Sequence, residues 1–413
     1  MAAFGRGGGL AQYAAAVGQA AGRRDGPALG ALLRLKDPRL VAAVRQGGPG
    51  LDPGAVARGV PGHFAAVLAA YVAAAGHLGG ANGAVAAYNA MQGAVQPTLD
   101  AFREDEANWS AEALHAVADS LTYVAGLADA ELEARGKAPH KLESAGNHLM
   151  SFFSAAHRAQ GNKLKRLATL RIANALFKVY FNINTLRLCK NIIRAIDAKN
   201  FVPFEAFPKG QRVTYMYFTG RLAIFDDRFV DAEHKLAYAF QHTPARYRRN
   251  RRLIARYLLP VKLLLGQLPS RRMRAQLGLD DAYGGIMEAM QTGSLRAFDQ
   301  ALATNLAAYI RDGTYLVLEK LRYAVLRRLL KRVLLIHAEL RPEKRAQLPL
   351  ALYQAALGAQ GEAMDLDEVE CVVANMIYRK YVKGYISHKS RVLVVSKSDP
   401  FPALTAALLA DPM

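Results

Sequence analysis

At 413 residues and 52% hydrophobic, the chain is too long for one core and too apolar for a disordered polypeptide, so two or more packed units are expected. Its 54 Lys and Arg against 34 Asp and Glu leave a net charge of +20 at pH 7, which points to an acidic partner: nucleic acid, an acidic protein or an anionic membrane surface. The only two cysteines, Cys189 and Cys371, lie far apart with no His at ligand spacing, which argues against a disulfide framework or a zinc site, and no stretch of about 20 residues is apolar enough to span a bilayer.

Residues 10–21 are Ala-rich. Their side chains are mostly single methyls, too small for a signal-peptide core despite Arg6, Arg23 and Arg24 nearby, so the segment reads as the first helix of the fold. The Gly7-Gly8-Gly9 cluster before it follows no strand and reads as a tail, not a phosphate cradle. A Gly- and Pro-rich loop at 47–54 then separates further Ala-rich segments of helical length. From 108 to 200 the helical pattern strengthens, first with Leu114, Val117, Leu121 and Val124, then with Leu167, Leu170, Ile172, Leu176, Val179 and Tyr180. The Pro-containing run 201–209 breaks it, which sets residues 1–200 apart as N-terminal helical repeats.

Residues 212–244 fit part of a 34-residue helix-turn-helix repeat of the tetratricopeptide kind. Gly220 takes the close-packing position of the first helix, Ala232 and Ala239 the small positions of the second, and Pro244 the stop; Met216 and Ala223 stand where aromatics are usual. Such pairs bury their apolar faces only by stacking on neighbours, so a solenoid is expected, with 210–314 as its second part. The stretch after Pro244 carries Arg246, Arg248, Arg249, Arg251, Arg252 and Arg256, and no acid lies between His234 and Leu279. That field suits phosphates or an acidic partner segment, although Tyr247 is its only interleaved aromatic before Tyr257.

Residues 315–400 read as a winged helix. A long helix over 315–340 places Leu318, Leu321, Val325 and Leu329 on one stripe, with Arg322, Arg327, Arg328, Lys331 and Arg332 around it, and Arg341-Pro342 stops it. A shorter helix over 348–357 ends at Gly358. Gly361 opens the turn into a third helix, 365–381, where Asp365 and Glu368 form a variant capping box and Leu366, Val369, Val373 and Met376 a buried stripe. A two-stranded basic hairpin over 382–397 completes the module, and residues 401–413 form a tail. Arg379, Lys380, Lys383, Lys389, Arg391 and Lys397 lie at the helix end and along the wing, where they can meet phosphates; Tyr385 and His388 add stacking surfaces. Enzyme signatures are lacking: no Gly-rich loop ending in Lys-Ser or Lys-Thr, no His-Glu-x-x-His, no Gly-x-Ser-x-Gly and no Cys-His pairing. His337 reads as a structural His within a helix. No catalysis, cofactor or metal is expected.

Helical repeats ending in a winged helix are the architecture of the PCI domain family. The strings Leu176-Phe-Lys-Val-Tyr-Phe-Asn-Ile-Asn184, Tyr257-Leu-Leu-Pro-Val-Lys-Leu-Leu-Leu-Gly266, Asp365-Leu-Asp-Glu-Val369, Val382-Lys-Gly-Tyr-Ile-Ser-His388 and Leu393-Val-Val-Ser-Lys397 carry the resemblance, which is dense from about Leu176 onward. Within the family the chain is similar to the branch that supplies a subunit of the messenger-RNA export assembly, transcription-export complex 2. The resemblance implies a non-enzymatic subunit, in the nucleus at the pore or envelope, with the cytoplasm as a second location. It implies a winged helix paired with that of a larger PCI scaffold, a small acidic Dss/Sem-type partner, and RNA or DNA on the paired platform. A purely structural subunit of a signalosome-like or proteasome-lid assembly is the alternative. On the leading reading Arg379, Lys380, Lys383, Tyr385, Lys389, Arg391 and Lys397 contact nucleic acid, and the Arg246 to Arg256 patch meets the acidic partner or nucleic acid.

Overall fold

The computed structural model describes residues 9–36, 38–48, 51–78, 82–159 and 161–410. Arg6, Gly7 and Gly8, Pro49 and Gly50 of the first loop, and 411–413 of the tail lie outside the described residues. The chain divides into two units, 1–218 and 219–413.

In the first unit helix follows helix from Leu10–Gly22 to Arg187–Ile196. Its middle is the helix Ala111–Ala134, and Ala113, Ala116, Ala118, Ala125 and Ala128 on it are buried. Small side chains there let neighbours pack closely, which is how an Ala-rich sequence builds a core. Phe64–Leu78 packs on Ala84–Gln92, which packs on Ala111–Ala134, which packs in turn on Lys141–His157. Two acids near the end of the central helix cap its neighbours. Asp129 accepts from the backbone N–H groups of His140, Lys141 and Leu142 at 2.7–2.9 Å, and Glu131 from those of Ala84 and Val85 at 2.7 and 3.3 Å. Each carboxylate satisfies helix N-terminal donors that have no partner within their own helix.

The helical-repeat pair begins in the last residues of the first unit, its first helix running across the division at 218, and continues in the second. Helices Lys209–Phe225 and Phe229–His242 are joined by a tight turn in which Asp227 has φ 55°. A Cβ on Gly220 would stand 2.8 Å from Leu236 Cγ, so the close-packing reading of Gly220 holds, and Ala232 and Ala239 are fully buried as the repeat requires. Helix Arg248–Leu264 packs on this pair. Shorter helices then lead to the winged module.

Within that module we number α1 (Arg322–Leu340), β1 (Gln347–Pro349), α2 (Leu350–Ala359), α3 (Leu366–Tyr378), β2 (Gly384–Ser387) and β3 (Val392–Val395). Leu318, Leu321, Val325 and Leu329 are all buried, but the helix expected over 315–340 is two, Tyr315–Glu319 and α1. At the junction Leu321 N–H donates to Leu318 O and Ala324 N–H to Leu321 O, a three-residue tightening that buries the two leucines spaced by three. The wing is also not a lone hairpin. β3 lies between β1 and β2 in an antiparallel sheet of order β1-β3-β2, with Leu348 opposite Leu393 and Ile386 opposite Leu393. Accordingly α2 begins at Leu350, not 348.

The capping box of α3 forms as expected, Asp365 accepting from Glu368 N–H at 2.7 Å and Glu368 from Asp365 N–H at 2.9 Å. Val369, Val373 and Met376 are fully buried, whereas Leu366 is only half-buried. The helix stops at Tyr378, three residues before the expected end. Lys380 sits at φ 62°, its N–H bonds to Ile377 O at 3.0 Å and that of Tyr381 to Met376 O at 2.9 Å. This is a Schellman stop with lysine in the left-handed place that usually takes Gly, so no sequence signal marked it.

Candidate nucleic-acid interface

The stop after α3 sets the first group of candidate residues. Tyr381 and Val382 turn inward and are buried, which leaves Arg379 and Lys380 at the rim. The Arg379 guanidinium lies over the Tyr323 ring at 4.9 Å from its centroid, and Tyr323 stacks on Tyr381 at 5.9 Å. Arg379 is therefore held in a cation–π stack, while Lys380 is exposed with no ion pair among the described residues.

The wing places the rest. Arg391 closes the β2–β3 turn at φ 53°, and its backbone is fixed by Leu350 N–H donating to Arg391 O at 2.9 Å. Its guanidinium pairs with Asp367 at 2.5 Å and with Glu370, both on α3; His388 Nδ1 lies 2.8 Å from Glu370 Oε1. Arg391 and His388 thus tie the wing to α3. Lys383 pairs with Asp399 at 2.8 Å, with both side chains about half exposed. An exposed pair of that kind is worth about 0–1 kcal/mol, so phosphate can compete for the lysine. Lys389 and Lys397 are exposed and have no ion pair among the described residues, and Tyr385 on β2 is 64% exposed.

Charge is therefore segregated. The N-terminal half of α3 carries Asp365, Asp367, Glu368 and Glu370, and this is the end that a groove-reading helix would insert between the phosphates. Four carboxylates there, two of them paired with Arg391, oppose that docking for α3. The positive surface lies at the opposite end, where Lys380, Lys383 and Lys397 meet beside the open end of the hairpin; Lys389 extends it at the β2–β3 turn, next to the Arg391 and His388 ties, and Tyr385 supplies a stacking face. Sequence reasoning missed two contributors. Tyr378, within the expected 365–381 helix but outside its buried stripe, is 62% exposed, and Leu335, Ile336 and Leu340 on α1 are 52–74% exposed. These three form an apolar strip next to the buried stripe, and nothing in their local spacing separates outward from inward leucines.

The hydrogen bond from His388, with the Arg391 guanidinium behind it, holds the Glu370 carboxyl below the ordinary carboxylate range. The folded value being depressed, the contribution of this carboxylate is fully present above the unfolded value and is lost as pH falls through the folded one. The wing tie is thus expected to persist at neutral and mildly acid pH and to open below about pH 4.5. Amide exchange of the 388–391 turn should rise over that acid range and lose that dependence in Glu370→Gln. A pH-independent turn in the parent protein would contradict the assignment.

The six arginines of the other patch behave differently. Arg251 donates to Thr243 O at 2.9 Å and lies 4.1 Å from the Phe240 ring centroid; Arg248 donates to Gln276 O at 3.3 Å and Arg252 to Gly278 O at 3.1 Å. These carbonyls belong to helix C-termini, whose partial negative charge the guanidinium groups complement. Arg256 pairs with Asp312 at 3.1 Å, the only one of the six with a carboxylate partner among the described residues. Arg246 lies over Tyr247 at 5.0 Å, and Arg249 is exposed. The patch keeps its positive field, but three of its six members already cap helix ends.

Burial pushes the Cys189 thiol up to about 12, which leaves it a poor nucleophile at neutral pH. Among the described residues no group of three or more His, Cys, Asp or Glu could hold a metal, and no helix is long and apolar enough to cross a membrane.

Residues 302–397 match the PCI domain family. The chain is 40% identical over 320 residues to enhanced ethylene response protein 5 of Arabidopsis thaliana, covering 78% of this chain and 76% of that one. It is 40% identical over 329 residues to PCI domain-containing protein 2 of Danio rerio, covering 78% and 80%. It is 35% identical over 307 residues to a protein CSN12 homolog of Mycosarcoma maydis, covering 71% and 67%. PCI proteins are in general non-catalytic subunits of multisubunit complexes, and no enzyme family is indicated. The chain belongs to the PCI domain-containing protein 2 family, its PCI domain ending in the winged module just described.

Proposed function

We propose that this chain is a non-enzymatic subunit of the nuclear messenger-RNA export assembly, transcription-export complex 2. It pairs its winged helix with that of a larger PCI scaffold and contributes to binding RNA, and DNA secondarily, at the nuclear pore or envelope. The observation that carries this reading is the charge segregation of the winged module: carboxylates engaged on α3, and exposed lysines with no ion pair beside exposed Tyr385 on the wing. Phosphate neutralisation needs only such clustered, accessible charge. The exposed Leu335, Ile336 and Leu340 on α1 support a protein partner on a second face of the module. The small acidic Dss/Sem-type protein is the partner we assign to the field around Arg246 and Arg249.

The test is RNA binding by the chain alone and with its scaffold partner, titrated against salt. We expect weak binding alone and a steep loss of affinity with salt in the complex, the signature of counterion release. No salt-dependent binding in either state would overturn the reading in favour of a purely structural assembly subunit.

A further inference from the structure

Only two cationic side chains are buried among the described residues, Lys165 and Arg274, each 8% exposed. Arg274 has its counter-charge, Asp280 at 2.8 Å. Lys165 has none. Its ammonium group donates to Arg103 O at 3.0 Å and lies 5.2 Å from the Phe102 ring centroid, and its other two N–H donors meet no acceptor among the described residues. A buried ammonium without an anion is the costliest way to bury a charge, and a fold keeps it in place only by holding the backbone there. That is what the surrounding bonds do. Asn108 Nδ2 donates to Leu164 O at 2.9 Å, Asn162 Nδ2 to Glu106 O at 2.9 Å, and Lys165 N–H to Asn162 Oδ1 at 3.0 Å.

Lys165 lines a cleft of about 570 Å³ together with Arg103, Arg158, Ser151 and Ser154, with no acid among the lining residues. Arg158 is exposed with no ion pair among the described residues, and Arg103 shares Asp100 at 3.3 Å on the surface side. The carbonyl end of helix Lys141–His157 adjoins the cleft, but its partial charge of about −0.5 is outweighed by the charges of Lys165 and Arg158. The cleft is several times larger than a lone oxyanion and falls within the size range of small-molecule sites; Met150, Phe102 and Ala155 give it an apolar wall.

We propose that this cleft binds the phosphate group of a small soluble phosphate monoester, with Lys165 as the buried counter-charge, Arg103 and Arg158 as outer clamps, and the organic body against Met150 and Phe102. Charge-assisted bonds from two guanidinium groups and an ammonium suit a phosphate's dispersed negative charge, and the serine hydroxyls can complete its hydrogen bonding.

The test is calorimetric titration of the full chain with inorganic phosphate and with phenyl phosphate, using sodium chloride of matched ionic strength as control. Both ligands are expected to bind one site in unit 1, phenyl phosphate more tightly because its ring meets the apolar wall; equal affinity would make free phosphate the ligand and overturn the monoester. Arg158→Gln, at an exposed position, is expected to weaken binding about tenfold, as loss of one charge-assisted hydrogen bond does. Lys165→Met keeps the stem, removes the uncompensated charge and is expected to abolish binding while melting at or above the parent temperature without ligand. Lys137→Glu, at an exposed position that does not line the cleft, should leave phosphate binding unchanged. Failure of both ligands to bind, parent-like affinity in Arg158→Gln, or loss of binding in Lys137→Glu would each overturn the site, and the Arg158 result stands even if Lys165→Met fails to fold.

Discussion

Reversing Lys380, Lys389 and Lys397 together to Glu is expected to weaken RNA binding by the scaffold complex by roughly 100- to 1,000-fold at moderate salt, and to lower the slope of log affinity against log salt by about 2. These are the wing lysines that are exposed and make no ion pair among the described residues, so each is available to displace a counterion from a phosphate. Lys383→Gln should do much less, because it removes one charge where the triple variant reverses three, and Lys383 must first leave its weak exposed pair with Asp399 at 2.8 Å. Arg391→Gln belongs to a different class: it cuts the pairs to Asp367 and Glu370 and should loosen the wing, seen in exchange rates of the turn before it is seen in affinity. Filter binding or fluorescence anisotropy over a salt series measures the slope directly. An unchanged slope in the triple variant, with the complex still assembled, would remove the wing from the nucleic-acid surface.

Gly384→Ala is the substitution expected to damage the module most. A Cβ at this position would stand 2.3 Å from Val394 O and 3.0 Å from Val395 Cα, both backbone atoms of the facing strand that cannot rotate aside. Relief requires β2 to move off β3, and with it go the pairings from Gly384–Val395 to Ser387–Val392. We expect a loss of about 3 kcal/mol, the upper range for overpacking, and a melting temperature lower by about 6–12 °C for a unit of this size. Tyr385→Thr, exposed on the same strand, should stay within about 0.5 kcal/mol of the parent while weakening RNA binding. Thermal unfolding followed by circular dichroism separates the two, and a parent-like melt for Gly384→Ala would mean that the wing contributes nothing to the cooperative unit.

Local chemistry made several features legible in advance. Asp365 and Glu368 announce the start of α3, since a carboxylate three residues before another can satisfy the first donors of a helix wherever that helix lies. Gly220, Ala232 and Ala239 mark the helix pair, because only small residues permit its close packing. Other features depended on distant partners. β1 is three residues long with no alternation, and it exists because Leu348 meets Leu393, 45 positions away. The end of α3 escaped notice because Lys380, not Gly, takes the left-handed position, at a cost that the tertiary packing of Tyr381 and Val382 offsets.

The same division runs through the site. Composition and spacing determined by themselves that the chain is a mainly helical, basic protein ending in a winged helix whose cations gather at the helix end and wing, because periodicity, capping and net charge are local or additive properties. Which of those cations is accessible was decided only in three dimensions. Arg391 finds Asp367 and Glu370, Arg251 finds Thr243 O, and Lys165 is buried without an anion among the described residues, while Lys380, Lys389 and Lys397 remain exposed. The number of charges is written in the chain, but their pairing depends on distances between residues that only the packed structure brings together.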